Sequence, residues 1–502
     1  VWREDTDMDV NTGSLGTSGA FKTVAFLKLL APANDSPSYT LGASNKLYIK
    51  WNAVPATFNV VITYSTQSGA AGTFTGAIAT VAASNAPNGT DMGYEWPLTD
   101  AVPVKDTMRI RIEQENKSDV NSQNSVDFKI KGVITLTGDA NGDASPVWYL
   151  GDDAYITWST YGGVGAVDIL YAANGVNYSN TITTGFLCNS TGTWSHTWQN
   201  LPTDTITGDL NTTGLIKIAS QAGSMTSISA APITIKAKIT NVEPANGTTI
   251  YVDDPDDAAD YATISWASAF AGNIPQVILQ YDPGTGSYTT INDTVTNGGN
   301  TWSYGLWSVP NAVGDNVLVR VQSKANPAQV SGVSSAAFKI RGKFTVKAPT
   351  SANVGASAVK VNSADLASTY TISWRNCGTM TAALIEYATD GSTFYPVTTG
   401  SGTAGVQTYS WNPPANWHGV STIGTTNKIR ITDPGDAAVP AKMSDAFEIK
   451  GQLDLTSPAG GEVYDIGGTA IPITWKYAGE LGNIEILFSS NLGSAYTSMV
   501  KI

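Results

Sequence analysis

The sequence predicts an all-β protein composed of several domains in tandem, and three observations support this prediction. The chain has 502 residues, which is too many for one hydrophobic core, since domains usually hold about 100–150 residues. Only 14% of the residues are charged and 49 are glycine, a composition that suits short strands and turns better than helices. A strand-like run that ends in tryptophan recurs along the chain, which indicates internal repeats. These five tryptophans are Trp51, Trp158, Trp266, Trp374 and Trp475.

Each repeat continues from this tryptophan through further strand-like runs in a fixed order. The next run carries an aromatic residue 13 positions after the tryptophan, or 15 positions in the third repeat. A later run ends in a second tryptophan, at Trp96, Trp198, Trp307 and Trp411. An alternating run such as 108–113 and a closing run such as 128–131 complete the unit. All these runs have period 2 and many β-branched residues, which is typical of strands.

About seven short strands in each repeat is the pattern of an immunoglobulin-like (Ig-like) antiparallel β-sandwich. Tryptophan and tyrosine side chains from the two facing sheets are expected to fill each core. The linkers, such as Lys131-Gly132, Arg341-Gly342 and Lys450-Gly451, are very short, so we expect little bending and a rod-like array. The predicted complete repeats are 25–131, 132–236, 237–341 and 342–450.

The two ends of the sequence are predicted to be partial repeats. Residues 1–24 look like the last strands of a preceding repeat, and 451–502 look like the first half of a further one. Half a sandwich would leave an open apolar face and unpaired strand edges. We therefore expect a piece of a longer protein. The alternative is that partial repeats of neighbouring molecules complete each other by strand donation.

One stretch resembles a known module. The residues Ser457-Pro-Ala-Gly-Gly-Glu-Val-Tyr464, Gly467, Ile473-Thr-Trp475 and Ile484-Glu-Ile-Leu-Phe488 resemble the Ig-like domain of the Ser/Thr-rich, GPI-anchored cell-wall family. Very large bacterial and archaeal surface proteins share this domain. Ala459 stands where the family usually has Asn, and Tyr464 where it has Trp. The resemblance implies a surface-exposed spacer or a component of a surface layer (S-layer), and it brings no catalytic residues with it.

Neither the composition nor the motifs favour an enzyme. The only histidines are His196 and His418, and neither lies in a motif for nucleophilic or general-base chemistry. The net charge of −13 disfavours a nucleic-acid partner, since phosphate binding needs clustered Lys and Arg. No apolar run is long enough to cross a membrane. The two cysteines, Cys188 and Cys377, fall in different predicted repeats, so disulfides are not expected to stabilise the fold.

Calcium is the one cofactor that the residues suggest. Asp139, Asn141 and Asp143 place oxygens at alternate positions of a glycine-containing loop, and Asp152 and Asp153 follow nine residues later. Ca²⁺ prefers six to eight such oxygens, so these five residues form the predicted metal site. Weaker candidates are the acidic runs 253–260 and 433–445. The alternative is that Asp, Asn and Gly are there because turns require them.

The leading functional prediction is a non-catalytic structural component of a microbial cell-surface layer, sheath or filament that self-associates, with possible calcium bridges. The alternatives are an adhesin or stalk that binds glycans or proteins, such as a cell-wall polysaccharide, and the spacer region of a secreted enzyme. Glycan stacking needs exposed aromatic side chains, and Trp148, Trp194, Trp302 and Trp417 lie outside the regular core positions. Sites for N-linked glycans (Asn-x-Ser/Thr) also suggest an extracellular surface protein. They are Asn34, Asn88, Asn116, Asn177, Asn189, Asn211, Asn246 and Asn292.

Overall fold

The computed structural model describes residues 23–33, 35–139, 141–222, 224–269, 273–491 and 493–502. These residues form β-strands with short 3-10 turns, including Thr203–Thr205 and Gly355–Ser357. In these ranges no helix is long and apolar enough to span a bilayer. The chain divides into two compact units, Val1–Lys236 and Ala237–Ile502. Most of the predicted segment 1–24 lies outside the described residues.

The first unit begins with nine strands that form two sheets. They are β1 (Phe26–Ala31), β2 (Ser38–Thr40), β3 (Lys46–Val54), β4 (Asn59–Ser65), β5 (Gly76–Ala82), β6 (Gly93–Pro97), β7 (Lys105–Gln114), β8 (Lys117–Gln123) and β9 (Phe128–Lys131). One sheet has the order β1-β3-β6 and the other β2-β9-β7-β4-β5, with β8 paired to β7. Buried residues of both sheets pack in one core, for example Ile49 of β3 with Ile62 of β4 and Ile110 of β7. This arrangement is an Ig-like sandwich.

The same order of strands recurs in the second half of this unit. The strands are β10 (Val133–Gly138), β11 (Val147–Tyr149), β12 (Ala154–Tyr161), β13 (Gly165–Ala172), β14 (Asn180–Cys188), β15 (Gly192–Trp198), β16 (Leu210–Ser220), β17 (Thr226–Ile228) and β18 (Ile233–Lys236). The sheets are β10-β12-β15 and β11-β18-β16-β13-β14, with β17 paired to β16.

The second unit contains two further sandwiches of this kind. The first consists of β19 (Lys238–Glu243), β20 (Thr249–Tyr251), β21 (Ala262–Ala269), β22 (Gln276–Asp282), β23 (Thr289–Thr296), β24 (Thr301–Trp307), β25 (Gly314–Ser323), β26 (Ser331–Val333) and β27 (Phe338–Arg341). The next consists of β28 (Lys343–Ala348), β29 (Val359–Lys360), β30 (Tyr370–Cys377), β31 (Ala382–Ala388), β32 (Tyr395–Ser401), β33 (Gly405–Trp411), β34 (Asn416–Trp417), β35 (Val420–Ser421), β36 (Gly424–Thr432), β37 (Lys442–Met443) and β38 (Phe447–Lys450). The hairpin β34–β35 is an addition to the common pattern.

The rest of the second unit has two separate strand pairs. They are β39 (Gln452–Ser457) with β40 (Thr474–Ala478), and β41 (Glu485–Phe488) with β42 (Thr497–Lys501). Leu455 lies opposite Trp475, in the register that Leu29 has with Trp51 in the first repeat. Unlike Trp51, Trp475 is only half-buried.

A tryptophan at the centre of each three-stranded sheet is the anchor of each core. Trp51, Trp158, Trp266 and Trp374 are at most 1% exposed. The second tryptophan of each repeat packs against the tyrosine of the second run. The ring centroids are 5.5 Å apart for Tyr64–Trp96, 5.4 Å for Tyr171–Trp198, 5.7 Å for Tyr281–Trp307 and 4.9 Å for Tyr387–Trp411. Each such pair joins the two sheets, and aromatic pairs of this kind stabilise cores beyond their burial alone.

The predicted all-β tandem array of Ig-like sandwiches is confirmed, with two differences in detail. Each sandwich has nine or more strands instead of about seven, because most of the additional strands have two or three residues and are too short to show a period in the sequence. One strand pair in each sandwich is parallel, as β2 with β9 and β11 with β18, whereas an antiparallel fold was predicted. The positions of the repeat boundaries remain a prediction.

Candidate functional site

The predicted calcium residues lie in two turns of the second repeat. Asp139 Oδ1 accepts hydrogen bonds from the backbone N–H groups of Asn141 and Asp143, at 2.8 and 2.9 Å. Asp153 Oδ1 accepts one from the Asn200 N–H at 2.9 Å, and Asp152 lies beside it in the turn before β12. Within the described ranges, no group of three or more His, Cys, Asp or Glu side chains is placed to hold a metal ion. Calcium binding at this loop remains a prediction.

The acidic run 253–260, a weaker calcium candidate, meets protein cations instead. Asp256 Oδ2 lies 2.8 Å from both Lys347 Nζ and Arg375 Nη2, and Asp260 pairs with Lys343. Thr345 Oγ1 donates to Asp254 Oδ2 at 2.7 Å. Lys343, Thr345, Lys347 and Arg375 all belong to the strands that follow Gly342. The run is therefore one side of a junction between the third and fourth repeats.

The electrostatics of this junction favour ionised carboxylates. The pKa of Asp256 lies below its ordinary value of 3.8 because Lys347 and Arg375 bond to its carboxylate. Burial works against ionisation of Asp254, but hydrogen bonds from Thr345 and from the Asp256 N–H outweigh it and lower its pKa. Ion pairs also raise the pKa of Arg375. The carboxylates of Asp254 and Asp256 and the guanidinium of Arg375 are consequently charged at neutral pH.

Two glycines of the fourth repeat lie next to each other at this junction, at the end of the β28–β30 strand pair. Gly378 has φ +89°, a value that L-residues with side chains rarely adopt. A Cβ on Gly378 would lie 2.8 Å from Val252 Cγ2, and one on Gly342 would lie 3.0 Å from the Cys377 carbonyl oxygen. Neither position has room for a side chain.

The same pair of glycines occurs at two further junctions. Gly162 and Gly479 also lie four residues after a core tryptophan and have φ values of +83° and +96°. Gly162 contacts Leu41 of the first repeat, and the linker glycine Gly132 contacts Val164. Gly479 lies against Gly451 and Ile423 in the same way. Residue 237 in the remaining linker is alanine.

The histidines lie among aromatic residues. His196 is on β15, half-buried, with its ring centroid 6.4 Å from that of Phe186. Burial lowers the pKa of His196. His418 lies in the turn of the hairpin β34–β35 with φ +51° and stacks on Tyr395 at 3.9 Å. The strands of this hairpin have two residues each, which is too short for a period to show in the sequence.

Of the four tryptophans outside the regular core positions, Trp302 is the exposed one. Trp148 is 8% exposed. Trp194 is half-buried and donates from Nε1 to Thr160 Oγ1 at 2.9 Å. Trp417 packs against Tyr387 with ring centroids 5.6 Å apart. Trp302 is 37% exposed.

Trp302 belongs to an irregular edge of the third repeat. Three positions separate Tyr304 from Trp307, whereas two separate Tyr94 from Trp96 and Tyr409 from Trp411. The pairing of β21 with β24 shifts its register between Ala262 and Ile264 to accommodate the additional residue. This β-bulge leaves Leu306 63% exposed. The altered spacing in the sequence was a signal for the bulge.

An open cleft lies beside this bulge. Its volume is about 310 Å³, and residues of β22, β23 and β24 form its walls, among them Tyr281, Thr290, Tyr304 and Trp307. Asn292 Nδ2 donates to Tyr304 Oη across the two sheets at 3.3 Å. The walls combine aromatic rings with hydroxyl groups, and no charged side chain is among them.

The predicted glycosylation sites that the structure describes are mostly accessible. Asn211 and Asn292 are half-buried, and Asn34 lies outside the described residues. The exposed ones are Asn88, Asn116, Asn177, Asn189 and Asn246.

No family model matches this chain. No curated protein matches it either, so the resemblance of 457–488 to the cell-wall type of Ig-like domain remains a prediction. Among solved structures, the chain is 14% identical to a tetra-tandem repeat in the extending region of a large adhesion protein, covering 84% of this chain and 99% of that one, with a TM-score of 0.25. It is 8% identical to the I9–I11 tandem of titin, covering 63% and 99%, with a TM-score of 0.22. It is 10% identical to the four N-terminal Ig domains of Dscam1 isoform 7.44, covering 84% and 99%, with a TM-score of 0.20.

Proposed function

We propose that this chain is a non-catalytic structural component of a microbial cell-surface layer, sheath or filament. In this role its Ig-like repeats fix the spacing and orientation of the components of that structure outside the cell. Within each of the two units adjacent repeats contact each other, and tandem repeat proteins gain length by repetition of such units.

The observation that supports the proposal best is the construction of the junctions within each unit. At each of these junctions the backbone of a glycine lies against side chains of the preceding repeat, such as Gly378 against Val252, and this leaves no room for a spacer. At the junction after Gly342, ion pairs and two hydrogen bonds between Asn311 and Thr379, at 2.9 and 2.8 Å, add to this contact. At the junction after Gly451, Gln452 Nε2 donates to the Val361 carbonyl at 2.7 Å. Such contacts oppose bending of one repeat against the next.

The acidic surface suits an extracellular structural role. A net charge of −13 keeps separate molecules soluble through mutual repulsion, and a divalent cation can reverse that repulsion. Calcium bridging through Asp139, Asn141, Asp143, Asp152 and Asp153 is the part of the proposal that rests on the sequence alone.

An adhesin or stalk is the second candidate, and the open cleft lined by Tyr304 and Trp307 favours it. A stalk needs the same stiff junctions, so the two functions differ in whether one repeat also holds a ligand. The spacer region of a secreted enzyme would use the same architecture without a ligand.

The test of the structural role is the assembly of the whole chain. The purified protein would be treated with chelator and then titrated with Ca²⁺, while light scattering and electron microscopy follow particle size and order. Ordered sheets, tubes or filaments are the expected result. A protein that stays monomeric at high concentration, with and without Ca²⁺, would contradict the role in a layer. The stalk would then be the function that the structure supports.

A further inference from the structure

We infer that the open edge of the third repeat, between β23 and β24, is a binding site for a neutral polysaccharide. The inference adds a binding activity to the proposed structural role and does not depend on self-assembly. It rests on Tyr304, which lines the cleft, and on Trp302, which lies two residues before it on the same face of β24. It rests also on the bulge beside them and on the chemistry of the cleft.

Trp302 and Tyr304 face the space between the two sheets. Trp302 lies directly opposite the buried Trp266, and Tyr304 lies directly opposite the buried Ile264. Residues directly opposite one another in an antiparallel pair lie on the same face of the sheet. The two aromatic side chains therefore belong to the core face, but β24 is the edge strand of its sheet, and its side chains there meet solvent.

The corresponding edge is closed in the second repeat. There Trp194 lies opposite the buried Trp158, and Phe186 of the edge strand β14 covers both, with ring centroids 6.1 and 5.0 Å away. Val295 is the equivalent of Phe186 in the third repeat, because Val295 lies opposite Val277 as Phe186 lies opposite Val167. The smaller Val295 cannot cover a second indole, and Trp302 is left exposed.

The fourth repeat avoids the problem in another way. Gln407 lies opposite the buried Trp374, at the position that Trp302 occupies. A glutamine at this position is thus compatible with the fold, and a large exposed indole is not needed for packing. The fold of the third repeat therefore does not require a tryptophan at position 302.

The chemistry of the cleft selects the ligand. A pyranose ring presents C–H groups that pack on aromatic faces and hydroxyl groups that bond to polar side chains, here Thr289, Thr290 and Ser308. The cleft walls carry no cation to pair with an anionic polymer. Addition of a peptide strand to β24 is disfavoured, because a bulge interrupts the regular row of backbone groups that strand addition uses. The cleft volume of about 310 Å³ is at the lower end of the range for small-ligand sites.

The test is affinity electrophoresis of the full chain, produced in a host without N-glycosylation so that Asn292 stays unmodified. The gels would contain mannan, amylose, xylan or a soluble β-1,3-glucan, with alginate as an anionic comparison. The variants are Trp302→Ala and Trp302→Gln, and the second of these reproduces the residue of the fourth repeat. The matched control is Gln407→Ala at the equivalent position, and circular dichroism checks that all variants fold.

We expect at least one neutral polysaccharide to retard the wild-type chain. Both Trp302 variants should weaken this binding by about tenfold or more, since an exposed aromatic anchor carries much of such an interface, and Gln407→Ala should bind as the wild type does. Three results would overturn the inference. They are no retardation by any neutral polysaccharide, retardation by alginate alone, and equal retardation of the wild type and both Trp302 variants.

Discussion

Gly378 of the fourth repeat lies against Val252 of the third repeat, and a Cβ on Gly378 would be 2.8 Å from Val252 Cγ2. The backbone of one sandwich therefore meets a side chain of the preceding sandwich where the two join. Gly479 has the same relationship to Ile423 of the fourth repeat, since a Cβ on Gly479 would be 2.9 Å from Ile423 Cδ1. Because each of these glycines lies four residues after the tryptophan that recurs in every repeat, the strand that carries this tryptophan also determines where the preceding repeat docks.

The carboxylate of Asp254 is expected to stabilise the fourth repeat as well as its own. Its side chain is 6% exposed and lies 3.5 Å from Arg375 Nε, and it accepts the Thr345 hydroxyl. Asp254→Ala should lower the free energy of unfolding by about 1–3 kcal/mol, as expected for loss of a buried charged hydrogen bond. Hydrogen exchange measured by mass spectrometry would follow each repeat separately. Asp293→Ala, which removes an exposed ion pair with Lys324 inside the third repeat, is the control and should leave the fourth repeat unchanged.

The same carboxylate gives the junction a pH dependence. The pKa of Asp254 in the folded chain is below its ordinary value of 3.8. Its contribution to the free energy of unfolding is therefore complete above about pH 4 and is lost as the pH falls through the lowered pKa. Lowering the pH to 3 should therefore accelerate hydrogen exchange in the fourth repeat more in the wild type than in Asp254→Ala. An equal acceleration in both would show that Asp254 does not carry the effect.

The core tryptophans should differ in how well they tolerate phenylalanine. Trp374 Nε1 donates to the buried Asn376 Oδ1 at 2.8 Å, whereas Trp266 Nε1 has no hydrogen-bond partner among the residues that the structure describes. Trp374→Phe should therefore cost about 1 kcal/mol more than Trp266→Phe, and alanine at either position about 3–5 kcal/mol. Denaturant titrations followed by hydrogen exchange in each repeat measure these differences. Equal costs for the two phenylalanine variants would contradict the role given to Asn376.

Both cysteine thiols should be unreactive in the folded chain. Burial, together with the nearby charge of Asp254, raises the pKa of Cys377 to about 11, and burial raises that of Cys188. Little thiolate is present at pH 8, and thiolate is the reactive form. Iodoacetamide should modify neither thiol at pH 8 until denaturant unfolds the second or the fourth repeat. Rapid modification of Cys377 without denaturant, detected by mass spectrometry, would contradict the packing of β30.

The predicted calcium site can be tested by thermal unfolding. If Ca²⁺ binds at the loop of Asp139 and Asp143, excess Ca²⁺ should stabilise the second repeat by about 2.7 kcal/mol at a concentration 100 times the Kd. The double variant Asp139→Asn, Asp143→Asn should abolish this stabilisation. Its control is Asp256→Asn, whose carboxylate already has two protein cations. If Ca²⁺ does not change the thermal unfolding of the wild type, the loop is an ordinary turn that is stabilised by the hydrogen bonds that Asp139 accepts.

The repeats and cores could be predicted because they depend on local pattern. Alternating runs place every second residue in a core, and the recurring Trp and Tyr positions are the ones that form pairs such as Tyr387–Trp411. The short parallel strands could not be predicted, because β2 and β29 have three and two residues and show no period. Their place is determined by pairing with the last strand of the same sandwich.

The roles of polar residues depended on partners that are distant in sequence. The run from Asp253 to Asp260 reads as a set of calcium ligands, because oxygen-rich turns are the sequence pattern of such sites. Its actual partners, Lys347 and Arg375, lie 91 and 119 residues beyond Asp256. The exposure of Trp302 likewise depends on Val295 across the sandwich. Both cases needed the three-dimensional neighbours of a residue, which the linear pattern does not contain.

Distances between spin labels on the third and fourth repeats measure how rigidly these two repeats dock. Cysteines introduced at the exposed residues Ser287 and Ala404 would carry labels on the third and fourth repeats, and pulsed electron paramagnetic resonance would give the distribution of distances between them. We expect one narrow distribution, which broadens in Gly378→Val but stays narrow in the control Gly419→Val. A Cβ on Gly419, which has φ +84°, would have no atom of the described residues within 4 Å, so this control matches the backbone strain without the contact. A broad distribution in the wild type, or equal effects of the two substitutions, would show that the repeats do not dock rigidly.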